Sequence, residues 1–529
     1  MFVSRTSLAG LVLSTSLFVF ALGQPGSGAP AGDNGVRRHE EGAFTGYTLV
    51  TPLRSTRTHL VDMQGEVVHT WESAYPPGNS VYLQDDGTLL RSAREPRGEI
   101  FEGGGIGGRI QRLAWDGTVL WDFPYANEQV WHHHDFEPLP NGNVLLIAWE
   151  RKTRDEVLAK GRDPALVQDG GLWPDHVVEV KPVGKTSGEI VWSWHIWDHL
   201  IQDLDPEKEG YGDPKDHPEL LDVNWDRVAA NEIPDADRAR LEALGYLAPP
   251  DPAEARPPRD RGLDWMHTNS ISYRADLDQI LLSVRRTDEI WVIDHSTTTN
   301  EAASHEGGRS GKGGDLLYRW GNPRIYRRGT EADQTLFGQH DARWIPKGFP
   351  GAGNILVFNN GNNRPGKQYS AVDEIAPPLG PGGQVVVPTG RAFGPGQASW
   401  SYTAPRKERF FSSFISGAER LPNGNTLVCS GEHGLVFEVT AEGETVWEWL
   451  SPLGGDVIEE EPPPGARRGD PPGDRGGDGR GPRGGGGRRG GGGPEPRTSL
   501  FRASRIAPDH PGLAGKGLPP ASGSPSGGR

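Results

Sequence analysis

His133 to Leu146 reads HHDFEPLPNGNVLL, and the same cadence returns as HTNSISYRADLDQILL from His267 and as HDARWIPKGFPGAGNILVF from His340. Two further copies lack the leading histidine: NSVYLQDDGTLL from Asn79 and SGAERLPNGNTLVC from Ser416. Each copy is a short alternating strand, a turn rich in Asn, Asp and Gly, and a second apolar strand. A phrase that recurs in this way marks a repeat architecture, in which the same position of every copy occupies an equivalent place. Three of those positions are histidines.

Working outward from each phrase, the copies end in an outer hairpin that carries aromatic residues. RIQRLAWDGTVLWDF from Arg109, HVVEVKPVGKTSGEIVWSW from His176 and GLVFEVTAEGETVWEW from Gly434 are such endings. Trp192 with Trp194 and Trp447 with Trp449 are spaced by two, so each pair shares one face of a strand. The repeat is therefore four strands long. Five units begin near Asn79, His134, His267, His340 and Ser416, and GYTLVTPLRSTRTHLVDMQGEVVHTW from Gly46 supplies three strands of a sixth. TSLFRASRIAP from Thr498 reads as the isolated strand that completes it and closes the ring without an open sheet edge. The reading is an all-β protein, a six-bladed β-propeller over 46–508.

Composition agrees. The 529 residues include 75 glycines and 46 prolines with only 34% hydrophobic residues, which favours turns over long helices, and 17 tryptophans suit packing between sheets. A net charge of -16 argues against a general nucleic-acid binder. The lone cysteine, Cys429, excludes an internal disulfide and follows an apolar run, as a buried hydrophobe would.

Residues 1–23 place Arg5 before an apolar run that ends in small residues, the pattern of a signal peptide cleaved after Gly23, with periplasmic or secreted localisation and no stable membrane insertion. Residues 24–45 read as a polar lead-in. Residues 197–261 read as a charged, partly helical insertion containing DADRARLEALGYL, and 459–497 as a disordered Gly/Arg/Pro-rich loop. Residues 509–529 read as a flexible tail.

In a propeller the innermost strands line the central channel, so the repeat position gathers Asn79, His134, His267, His340 and Ser416. Three converging imidazoles suit a metal or an anion with proton transfer. Arg285, in the repeat of His267, favours the anion, because a fixed guanidinium repels a cation and holds sulfate or phosphate well. Its neighbour Arg286 points to the opposite face of a regular strand. Asn269, two residues after His267, and Asn359, in FNNGNNRP, are candidate substrate-binding donors, although turn formation also explains the asparagines of that loop. Asp135 and Asp341 either orient imidazoles or cap the strand turn. His195, Asp198 and His199 in HIWDHL carry only a weak metal spacing.

HHDFEPLPNGNVLL, DWMHTNSISYRADLDQILLSVRRTDEIWVIDHSTTT and GDLLYRWGNPRIYRRGTEADQTLFGQHDARW resemble the bacterial arylsulfate sulfotransferases, a propeller family that works without a nucleotide donor. The resemblance spans about Gly46 to Pro508. It implies transfer of a sulfuryl group from an aryl sulfate to a phenolic acceptor through a sulfohistidine in a ping-pong cycle, with no cofactor and no metal. By the same resemblance His340 of GQHDARW is the nucleophile and His134 the acid/base, with His133 the alternative if the alignment slips by one. His267 and Arg285 stabilise the sulfuryl group. The implied partners are small phenols and aryl sulfates. The chain departs from some relatives in leaving no room for an extra N-terminal domain and in having no disulfide. Aryl sulfate hydrolysis and a non-catalytic propeller that binds a partner or metal in its channel are the alternatives.

Overall fold

Alternation of apolar and polar residues between Gly- and Asn-rich turns gives 27 strands and only two short α-helices among the described residues. The computed structural model describes 34–227 (except 97, 99 and 102), 263–455 (except 381–384, 387 and 388) and 498–522. Most of the strands form six antiparallel blades, five of four strands and one of five.

Blade 1 runs from Leu500–Ile506 through Tyr47–Pro52 and Arg57–Val61 to Val67–Glu72, so the strand read from TSLFRASRIAP is its innermost member. The inner strands of the other five are Pro77–Leu83, Val130–Pro138, Thr268–Arg274, His340–Trp344 and Gly417–Arg420. Each inner strand packs on the next, and the last packs on Leu500–Ile506, which closes the ring.

The tryptophans of the outer strands explain why neighbouring blades adhere. Trp121 of blade 2 donates its indole N–H to Ser187 O of blade 3 at 2.9 Å, and Trp194 of blade 3 donates to Gly314 O at 2.7 Å. Trp320, Trp400 and Trp447 repeat the contact with Pro395 O, Ala441 O and Met63 O. At the joint between blades 1 and 2, Trp71 meets Trp115 edge to face and His69 stacks on Trp115 at 3.9 Å. Each joint therefore packs an aromatic ring, half-buried for Trp400, and at five of them satisfies the indole N–H as well.

Three parts of the architecture differ from the sequence reading. Gly35–His39, inside the polar lead-in, is a fifth strand on the outer edge of blade 6, paired with Thr445–Leu450. Its residues are half-buried or exposed, so GVRRH carries no apolar alternation to announce a strand. Residues 509–522, read as flexible, pack on blade 1: Leu513 and Ala521 are buried and the Tyr47 hydroxyl donates to Pro519 O. Apolar contacts and hydrogen bonds such as Met63 N–H to Ala521 O hold this Pro- and Gly-rich segment on the blade. The described part of the insertion, 197–227, holds a parallel bridge between Leu200–Ile201 and Leu221–Asp222. The stretch DADRARLEALGYL, the signal peptide and the Gly/Arg-rich loop from Glu459 lie outside the described residues.

Candidate active site

The inner strands enter the channel through left-handed residues: Asn79, His134, His267 and Ser416 all have positive φ. In blade 5 that conformation falls on Asp341, one residue after His340. The shared column therefore holds in four of the five phrases and shifts by one in blade 5. At this point the inner strand carries two extra residues against its partner in blades 2 and 3 and one in blades 4 and 5, a bulge of the kind that re-aims side chains.

His134 and His267 meet edge to face with ring centroids 4.5 Å apart. The Nδ1 of His267 bonds Asp264, whose other oxygen accepts the Trp149 indole N–H at 3.0 Å. His340 Nδ1 lies 2.7 Å from Asn360 Oδ1 and 3.1 Å from Gly338 O. The orientation of that amide is fixed, because Asn360 Nδ2 donates to Ser412 O and Ile415 O. Both partners of Nδ1 are acceptors, so Nδ1 carries the proton and Nε2 keeps its lone pair.

Burial, then the Arg285 charge, holds His340 well below the ordinary imidazole value. His134 is depressed by burial first, then by His267, His133, His340 and Arg285. His267 is lowered by burial even though Asp264 opposes the shift. All three rings are thus neutral near pH 7; Asp264 supplies a negative charge behind His267, and Arg285 is the cation that acts on all three. Its side chain is half-buried and has no hydrogen bond or ion pair among the described residues, whereas Arg286 is exposed. A guanidinium without a hydrogen bond or ion pair among the described residues, beside neutral imidazoles, has the chemistry to hold an anion.

The two candidate asparagines have other partners. Asn359 is fully engaged, donating to Thr335 O and Asp373 and accepting from Phe337 N, so its amide holds the loop together and has no donor left for a substrate. The neighbour, Asn360, is the residue that touches His340. Asn269 donates to Gln339 O at 2.7 Å, which braces the strand entrance beside His340. His133 is wholly buried, stacks on Trp149 at 4.2 Å and turns toward Asp175, leaving His134 as the member of the pair beside His267.

Asp135 and Asp341 do not orient imidazoles; both bind Arg502. This arginine contacts Asp135 at 2.7 Å, Asp341 at 3.0 Å, Asn269 O at 2.9 Å and the Tyr82 hydroxyl at 3.3 Å. From its strand in blade 1 it thereby ties blades 2, 3, 4 and 5 together. Above, Gly104 and Gly105 cover the rings: a Cβ at Gly104 would lie 3.3 Å from His267 Cε1, and one at Gly105 would overlap the His134 ring.

Among the described residues two histidine and carboxylate clusters within metal-ligand reach lie elsewhere, at Glu150, His176 and His195 and at His199, His305 and Asp315. His195 and His199 fall into separate clusters, so HIWDHL does not form one site. Both nitrogens of His199 already have partners, Asp315 and Ala302 O.

A sequence profile of the arylsulfotransferases (ASST) matches residues 48–451. The chain belongs to this family. The arylsulfate sulfotransferase AssT of Escherichia coli is 24% identical over 405 residues, which cover 72% of this chain. The chain spans only 58% of the length of that relative. The matched family region contains His134, His267, Arg285 and His340, while the closing strand with Arg502 lies beyond it. Among solved structures, a Bacteroides caccae protein of unknown function is 13% identical with a TM-score of 0.38, covering 77% of this chain and 93% of its own. The periplasmic gluconolactonase of Pseudomonas aeruginosa is 12% identical with a TM-score of 0.37, covering 78% and 98%. Likenesses this distant add nothing to the family assignment.

Proposed function

We propose that this protein is an aryl-sulfate sulfotransferase that carries the sulfuryl group on His340 between a donor aryl sulfate and an acceptor phenol, without a nucleotide. The observation that carries the reading is the pinned Nδ1–H of His340, which leaves a neutral Nε2 lone pair in the field of an unengaged Arg285. Nε2 attacks sulfur as the S–O bond to the aryl group breaks, giving a sulfohistidine and an aryl oxide. Sulfuryl transfer, like phosphoryl transfer, needs positioning and charge stabilisation above all, which Arg285 and His267 supply to the sulfuryl oxygens. The departing phenol has a pKa of about 10. His134 protonates it, then takes the proton of the incoming phenol. The apolar leader supports export to the periplasm or beyond.

The test is mass spectrometry of the acid-labile adduct after a rapid quench, optimised for sulfohistidine, together with donor turnover with and without phenol. The expected results are a sulfuryl group on His340, acceleration by phenol with a sulfated product, and no turnover by His340→Asn. Release of phenol at a rate indifferent to acceptor makes the protein a hydrolase instead. Absence of turnover in a folded protein makes it a binding propeller.

A further inference from the structure

A chain of hydrogen bonds runs away from His134 into the core. His134 Nδ1 lies 2.8 Å from His133 Nδ1, and His133 Nε2 lies 3.2 Å from Asp175 Oδ1. The other carboxylate oxygen of Asp175 accepts the Thr268 N–H at 2.8 Å, which fixes the carboxylate. His133 is locked against Trp149 by a stack of 4.2 Å with the rings nearly parallel. Two Nδ1 atoms facing each other at hydrogen-bond distance share one proton, and only one can donate.

We infer that Asp175 and His133 form a proton relay behind His134, so that His134 exchanges protons with substrate by switching tautomer while the positive charge resides on His133. This rests on the sulfotransferase reading above. In the donor half-reaction the relay starts loaded with the proton taken from the acceptor phenol of the preceding turn, His133 donating from Nε2 to Asp175 and from Nδ1 to His134. His134 then carries its own proton on Nε2. As the S–O bond breaks, that Nε2 proton passes to the aryl oxide and the Nδ1 proton of His133 moves to Nδ1 of His134. His133 ends neutral, still donating to Asp175, and His134 ends neutral with Nε2 free. The acceptor phenol reverses both transfers. His134 is never charged, which suits a ring crowded by His267, His340 and Arg285; the cation forms instead beside a carboxylate.

His133 and Asp175 act through His134 and touch no substrate, so the test must separate relaying from support. Asp175→Asn keeps the shape and the acceptor for Thr268 N–H, and His133→Phe keeps the ring against Trp149 while removing both nitrogens. For each, kcat/KM of the donor, which reports only the first half of a ping-pong cycle, is measured over a series of aryl sulfates of differing leaving-group acidity. Protonation matters for a phenol of pKa about 10 and little for an acidic nitrophenol, so the variants should lose about 100-fold with the former and less than about 5-fold with the latter. The plot of log kcat/KM against leaving-group pKa becomes steeper. An equal loss across the series would reduce the two residues to scaffolding, and an unchanged plot would remove them from the reaction; either result overturns the relay. If the wild-type protein turns over no aryl sulfate, the sulfotransferase reading itself fails, a result distinct from both.

Discussion

Replacing Gly105 by alanine tests the glycine cover over the histidines. Gly105 has φ of +74°, and a Cβ there would come within 3.0 Å of His134 Nε2, Cε1 and Cδ2, closer than real Cβ contacts. The left-handed backbone costs a residue with a Cβ about 1–2 kcal/mol. Forcing a methyl against a packed ring adds roughly 1–3 kcal/mol. The two together give about 2–5 kcal/mol of lost stability. To recover an ordinary carbon separation of about 3.5–4 Å, the imidazole must move by about 1 Å or more. A displacement of that size in a catalytic group lowers the rate by roughly 100-fold. Gly117→Ala is the control, since Gly117 has φ of +85° with nothing within 4 Å of the added atom, so it reports backbone strain alone. Urea midpoints and aryl-sulfate turnover of both variants give the answer. If Gly105→Ala loses no more stability than Gly117→Ala and keeps activity within about threefold, the packing argument is wrong.

Arg285→Met should lower kcat/KM by about 100- to 1,000-fold, the scale of one lost charge-stabilising donor, with the urea midpoint nearly unchanged because this guanidinium makes no hydrogen bond or ion pair among the described residues. Because burial and Arg285 keep His340 neutral in acid, the acid limb of kcat/KM should lie below the ordinary imidazole pKa of 6.5. An acid limb at or above that value in the pH profile would contradict the depressed nucleophile. Arg502→Met leaves Asp135 buried without its ion-pair partner, while Asp341 keeps Arg343 at 2.6 Å, and should cost about 3–5 kcal/mol in denaturant titration.

The ring, its closing strand and three of its histidines were legible because alternating strands between Asn- and Gly-rich turns leave a strong local signal. What escaped depends on partners far apart in sequence. Arg502 sits in a strand that reads as plain closure, yet it bonds Asp135 across 367 positions. Asp175 reaches His133 from 42 residues away, and nothing near it in the chain marks it as special. Asn359 and Asn360 are equivalent as turn formers; only the side of the strand each one faces separates loop brace from histidine anchor. Asp264 alone carried a local hint, three residues before His267 in DWMH.

The closure of blade 1 also sets an order of events. Residues 500–506 leave the ribosome after every other blade strand, and Arg502 travels with them. Without that strand Asp135 lacks the cation it bonds at 2.7 Å, and Asp341 retains only Arg343. A chain ending before residue 500 would hold His134, His267 and His340 without the guanidinium that joins blades 2 to 5 around them.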